Sequence, residues 1–221
     1  MANKTIVTID FDYIMFPCIK LYNDMCGGDA NPTECWMRIE AERKISNHIS
    51  YDAKALYSIA AIMKTILSRN KDCKFITVNE HQELIKEVVD KETDEDIEYD
   101  VVNIDFHHDV YYRPDDPINM SYFTDYNCSN WLGYIFYTDR LNSYTWISAP
   151  NSDPLDKNVF EDELRDKITI KSSFGLKDYI KEVSDPEYKV DYLVFCLSPQ
   201  WVPYRYHHIF NLLSYLLNEG R

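Results

Sequence analysis

The chain has 221 residues, 45% hydrophobic and 14% aromatic, which suits a single α/β domain over 1–221 with a full core and excludes a disordered tail. Its 37 acidic and 23 basic residues leave a formal net charge of −14, which repels phosphate backbones and anionic membranes and argues against a nucleic-acid partner. No apolar stretch approaches the roughly 20 residues that cross a bilayer, and no charged-then-apolar leader opens the chain.

Six short apolar runs read as buried strands: 5–11, 74–79, 99–106, 144–149, 168–173 and 191–198. Helical patterns lie between most of them. The clearest spans about 51–69, with Leu56, Ala60, Met63 and Leu67 on one face and Ser50 or Asp52 as its cap. Shorter candidates cover 81–91 and 175–183, and 204–219 carries a stripe of Ile209, Leu212, Leu213 and Leu216. Continuous apolar strands alternating with helices predict a three-layer α/β/α fold on a mainly parallel sheet. Segments 20–50 and 113–130 mix Pro, Asn, Cys and aromatics and read as long functional loops or a small subdomain. The acidic run at 90–100 reads as a solvated connection. Cysteines 18, 26, 35, 73, 128 and 196 form no CxxC pair, so the expectation is free thiols in a soluble protein of a reducing compartment, the cytoplasm.

In open α/β sheets, ligands collect beyond the carboxyl ends of the strands. Polar residues gather at three such ends. The first strand finishes on Asp10 and Asp12, the second is followed by His81, and the third runs into Asp105, His107 and Asp109. Four carboxylates and two imidazoles at one edge are costly without a counter-charge, and two divalent cations supply it. A mixed Asp/His donor set suits Mn²⁺, where thiolates alone would suggest zinc. His108 falls between two of these positions and an alternating backbone turns it away. His207 reads as solvated on a polar helix face, and His48 as a loop residue.

These motifs resemble those of the ureohydrolases, the arginase and agmatinase superfamily: a His at one strand end, Asp-x-His-x-Asp on the next, and Asp-x-Asp on another. Here they stand as His81, Asp105-Phe-His107-His-Asp109 and Asp10-Phe-Asp12, with the Asp-x-Asp strand first, as in a permuted strand order. The wording around them, "IDFDY", "EHQE", "IDFHHD", "SNW" and "LSPQWVP", is similar to the peptide arginases, which convert arginine residues of peptides to ornithine. The resemblance implies two manganese ions. His81, Asp105, Asp109 and Asp10 would hold one, and His107, Asp105, Asp10 and Asp12 the other. It implies hydrolysis of a peptidyl arginine to ornithine and urea, with Asp105 and Asp109 as the catalytic carboxylates and Asp109 relaying a proton to the departing amine. Asn130, Trp131, Ser198 and Trp201 are the candidate contacts to the arginine-containing peptide substrate; the two tryptophans read equally as packing residues.

The departures bear on the substrate. Enzymes of free arginine carry a Glu before Asn-Pro, a His in Asn-Leu-His-Gly and an Asn after the Asp-x-His-x-Asp motif. The corresponding stretches here hold Cys196 and Ser198, Leu132, and Tyr111. The metal ligands carry over and the grip on a free amino acid does not, which favours a larger, peptidic substrate.

Two other readings remain open at this stage. "TIVTIDFDYI" also resembles the first motif of haloacid-dehalogenase phosphatases, with Asp10 as nucleophile, Asp12 as acid, Ser198 as a phosphate ligand and Asp115 and Asp116 near a metal. That reading leaves His81 and residues 105–109 without a task. The third is a non-catalytic metal-binding module.

Overall fold

A computed structural model describes residues 3–16, 31–43, 50–110, 126–160 and 162–219. Six strands form one parallel sheet: β1 (Asn3–Asp10), β4 (Lys74–Val78), β5 (Glu98–Asp105), β6 (Leu141–Ser148), β7 (Ile168–Lys171) and β8 (Tyr192–Cys196). A separate antiparallel pair joins the short β2 (Met15–Phe16) and β3 (Ser50–Tyr51). The sheet order is β4-β8-β1-β5-β6-β7. The predicted strands are all present, and the α/β/α architecture holds.

The strands read as continuous apolar runs because both faces are covered. On one face Val7, Ile9, Val102, Ile104, Leu193 and Phe195 pack under α1 (Pro32–Arg43), α2 (Ala53–Arg69), α5 (Gly175–Glu182) and α6 (His207–Glu219). On the other, Ile6, Tyr99, Val101, Tyr144, Trp146 and Val194 pack under a π-helical turn (Ile85–Val89), α3 (Trp131–Tyr137) and α4 (Asp162–Lys167). None of the described helices is long and apolar enough to cross a membrane.

The helix caps follow from sequence. Asp52 accepts from the Lys54 and Ala55 amides at 2.8 and 3.0 Å and starts α2, so Asp52 and not Ser50 is the cap. Asn31 accepts from Thr33 N at 3.0 Å, and Pro32 occupies the first helical position of α1.

Several expectations are corrected. The fully buried residues of α2 are Ile59, Ile62, Met63 and Ile66; of the predicted stripe Met63 is among them, and Leu56 and Leu67 pack half-buried against the same core. In α6 Phe210 is the buried residue, with Ile209, Leu213 and Leu217 against the core, while Leu212 and Leu216 are exposed. Residues 32–43, read as loop, form α1, because Cys35, Trp36 and Ile39 bury themselves against the core from an otherwise polar helix. The helix predicted at 81–91 shrinks to the π-helical turn. Cys35 is disulfide-bonded, so the expectation of free thiols throughout is corrected; Cys73, Cys128 and Cys196 are free. His207 is half-buried with Nε2 3.0 Å from the Val202 carbonyl, because that carbonyl lies within reach of the first turn of α6.

The topology also contains a switch point. The chain leaves β1 toward β4, through β3 and α2, on one side, and leaves β5 toward β6 on the other, so consecutive connections diverge between neighbouring strands β1 and β5. Such a switch point opens a cleft beyond the carboxyl ends of the two strands.

Candidate metal centre

Strand periodicity aims the site. Thr8 and Asp10 share the face of Ile6, Asn103 and Asp105 that of Val101, and Cys196 that of Val194, so their side chains all turn toward α3. Thr8 pairs in register with Asn103, and Asp10 with Cys196. Asp10, Asp12, Asp105, Asp109 and His81 are all buried, and only His107 keeps part of its side chain, 18%, in solvent. The structure brings all six predicted ligands together.

Three carboxylate oxygens converge on one nitrogen. His81 Nδ1 lies 2.9 Å from Asp109 Oδ2, 3.1 Å from Asp105 Oδ2 and 3.3 Å from Asp10 Oδ2. Its other nitrogen, Nε2, is 2.8 Å from Thr8 Oγ1. Beside this cluster, His107 Nδ1 lies 3.1 Å from Asp12 Oδ2 and 4.0 Å from Asp105 Oδ1. Asp105 therefore presents one oxygen to each histidine.

Backbone and neighbouring side chains hold the carboxylates. Asp10 Oδ1 accepts from Asp12 N at 3.0 Å, and its Oδ2 accepts from the Ser198 hydroxyl. Asp105 accepts from the His107 amide at 2.8 Å and from Asn103 Nδ2 at 3.1 Å. Asp109 accepts from the Trp131 indole at 2.6 Å. Asp109 and Ser198 both adopt left-handed backbone, with φ of 53° and 49°, which costs energy for a residue with a side chain and concentrates at functional sites. Gly133 in α3 permits the close approach: a Cβ there would lie 3.1 Å from the Val110 carbonyl, next to Asp109.

The electrostatics are those of crowded negative charge. Burial, then the neighbouring Asp12 and Asp105, push the Asp10 pKa well above the carboxylate range. Burial, Asp105 and Asp109 do the same to Asp12. Burial raises Asp109 to about 7, while His81 pulls against it. Burial also opposes ionisation of Asp105, but its hydrogen bond and charge pairing with His81, helped by His107, bring it down to about 2. Burial works against a charged His81 ring, and the bonds to Asp105 and Asp109 overcome it and raise its pKa.

The donor set fits divalent cations on two grounds. Three carboxylate oxygens lie within 3.3 Å of His81 Nδ1, more negative charge than one imidazole proton balances, although each also accepts from Ser198, Asn103 or Trp131. A cation bonded at about 2.1 Å holds adjacent ligand atoms about 3.0–3.4 Å apart, the spacing seen here. Asp12 Oδ2 is buried without a hydrogen-bond donor, although it faces His107. Three ligand groups are close enough to share an ion: His81/Asp105/Asp109, Asp12/Asp105/His107 and Asp10/His81/Cys196.

The predicted substrate contacts separate. Trp201 is half-buried with its ring 5.2 Å from that of His107, and the Phe106 ring lies 5.1 Å from it, both also packed against the core. Trp131 is fully buried and holds Asp109, and Ser198 holds Asp10. Asn130 accepts from Asn127 N at 2.7 Å within a local turn. His108 is buried, its pKa lowered to about 4 by burial and then by His107, and it packs edge-on to Trp146. Tyr111, Asp115, Asp116 and His48 lie outside the described residues. The sequence reading missed Thr8, Asn103 and Phe106. The first two were detectable as polar residues inside apolar runs at the same strand parity as Asp10 and Asp105.

Fold and site together define an α/β protein with a buried Asp/His cluster at the carboxyl edge of a parallel sheet. No protein-family model, curated protein or solved structure matches the chain.

Proposed function

We propose that the chain is a dimetal hydrolase acting on the guanidinium of arginine residues in a peptide, releasing urea and leaving ornithine. The observation that carries the metal part is the convergence of Asp10, Asp105 and Asp109 on His81 Nδ1, beside a second set that shares Asp105. The resemblance of these motifs to the ureohydrolases supports Mn²⁺ and the reaction.

In this reading His81, Asp10, Asp105 and Asp109 hold an inner ion, and His107, Asp12 and Asp105 an outer one. When bound, such a pair supplies Lewis acidity that lowers the pKa of water toward neutrality. Thr8 keeps the His81 lone pair directed inward, Trp131 and Ser198 fix two carboxylates, and the buried inner face keeps bulk water out. The two aromatic rings beside His107 offer π-faces to a planar cation. Asp109, at the edge of the inner set, is the carboxylate that would relay a proton to the departing amine.

Peptidic substrate is supported by what stands at the positions that grip a free amino acid in the resembling enzymes: Cys196, Leu132 and Tyr111. The test is urea release by Mn²⁺-loaded protein from arginine-rich peptides and from free arginine, with mass spectrometry of the peptide. Ornithine in the peptide with little turnover of free arginine is the expected result. Equal rates on both substrates overturn the peptide assignment, and no urea from either overturns the reaction. Both oxygens of Asp10 are engaged by Asp12, Ser198 and His81, an arrangement that favours ligation over the nucleophilic attack of the phosphatase reading.

A further inference from the structure

Cys196 ends β8 between β1 and β4, in register with Asp10 on one side and Val78 on the other. Its side chain is fully buried on the face that carries Asp10 and Asp105. Its sulfur forms a group with one ligand atom each of Asp10 and His81, all three within 4.8 Å of one another. A cation bonded to oxygen, nitrogen and sulfur at about 2.0–2.3 Å keeps its ligand atoms within about 4.6 Å, so this span is close to what one ion bridges. Asp10 and His81 belong to the cluster in which three carboxylate oxygens crowd one ring nitrogen, an independent sign of a cation at that place.

The other partners of the thiol are weak and neutral: the Asn79 carbonyl at 3.5 Å and the Ser198 hydroxyl at 3.3 Å. Neither needs a thiol. A buried cysteine that only filled space would be equally served by apolar neighbours, and this one stands where oxygen and nitrogen donors meet.

We propose that Cys196 is a sulfur ligand of the inner ion, which makes the two metal positions chemically unlike. The inner position then offers a thiolate together with imidazole and carboxylates and favours thiophilic cations such as Co²⁺, Zn²⁺ or Fe²⁺. The outer position, Asp12, Asp105 and His107, offers only oxygen and nitrogen and suits Mn²⁺ or Mg²⁺. On binding, the S–H bond breaks, a sulfur–metal bond forms and the proton passes to the buffer. The proposal rests on the dimetal reading above and refines which metals the site selects.

Cobalt substitution tests it without an activity measurement. The metal-free protein is titrated with Co²⁺ and its absorption recorded, alongside Cys196→Ser, Cys196→Ala and Cys128→Ser. The last is a control, because Cys128 lies near enough to Asp109 and His81 to feel their charge. Wild type and Cys128→Ser should show a near-ultraviolet sulfur-to-cobalt charge-transfer band with the first equivalent. Both Cys196 variants should lose the band and keep visible d–d absorption. Sulfur scattering from the wild-type cobalt site by X-ray absorption gives the same answer without a variant. Cobalt bound with no charge-transfer band, or a band that survives in the Cys196 variants, overturns the sulfur ligand and leaves the dimetal reading standing. No cobalt binding overturns both.

Discussion

Thr8 Oγ1 sits 2.8 Å from Nε2 of His81, on the side of the ring opposite the three carboxylates. With an ion on Nδ1 the proton stays on Nε2, and the Thr8 hydroxyl is placed to accept from it and hold the ring in that orientation. Thr8→Val keeps the shape and β-branching and removes the acceptor. The expected result is a 10–100-fold loss of metal affinity in a competition titration, the usual scale for losing such a partner. The folded circular-dichroism signature should be retained. Unchanged affinity would remove Thr8 from the site.

Asp105 gives Oδ2 to the His81 cluster and Oδ1 to the His107 side. Asp105→Asn should therefore weaken both positions at once. Elemental analysis after Mn²⁺ loading should fall from about two ions per chain to fewer than one. Loss of a single ion would show that the positions do not share this carboxylate.

The strands were legible because parallel strands buried on both faces must read as unbroken apolar runs, and each predicted run holds a strand whose ends differ by a few residues. The six clustered Asp and His residues were legible because charge at the end of a buried strand is costly and stands out against the apolar run before it. The helix α1 was hidden because, among its described side chains, only Cys35, Trp36 and Ile39 are buried, which leaves little periodicity to read. In α2 the predicted stripe lies beside the most buried line, Ile59, Ile62 and Ile66, and where that line falls depends on which residues of the sheet the helix meets. Trp131 looked like a substrate platform because an indole serves either purpose; only the 2.6 Å contact to Asp109 tells which.

The pH dependence of the metal-free protein should run opposite to ordinary acid denaturation. Folded Asp10, Asp12 and Asp109 hold protons that the unfolded chain releases near pH 4, so folding loses this support as pH climbs through their raised folded values, about 7 for Asp109. His81, raised above 6.5, stabilises the fold below that value and loses the contribution as pH passes through its folded pKa. Asp105, lowered to about 2, contributes in full above pH 4 and adds no slope beyond. His108, lowered to about 4, opposes the trend between pH 4 and 6.5, as one group against four. Melting temperature without metal should fall between pH 5 and 8, and the increment given by Mn²⁺ should grow over the same range as the ion takes the place of protons. A metal-free melting temperature that rises across this range would contradict the crowded-carboxylate picture.

The link between the first strand and the Asp-x-His-x-Asp strand is tested most directly by Asp12 and His107, whose Oδ2 and Nδ1 are 3.1 Å apart. If they grip the same outer ion, removing either empties that position, and removing both has little left to remove. Asp12→Ala and His107→Ala should each reduce stoichiometry from about two Mn²⁺ to about one. The double variant should match the singles, since groups that act as a unit are strongly non-additive. The phosphatase reading predicts otherwise: His107→Ala would be silent, Asp10→Asn would abolish turnover, and the product would be phosphate in place of urea. The buried, donor-less Asp12 Oδ2 adds a readout that needs no substrate. In the metal-free state Asp12→Asn removes one of the crowded carboxylates, so it should raise the melting temperature at pH 8 and change it little at pH 4, where Asp12 is already neutral. With Mn²⁺ present the order should invert at pH 8, the wild type gaining more than Asp12→Asn. A variant that is less stable than wild type without metal at pH 8 would mean that Asp12 serves packing or hydrogen bonding, and the outer position would have to be sought elsewhere.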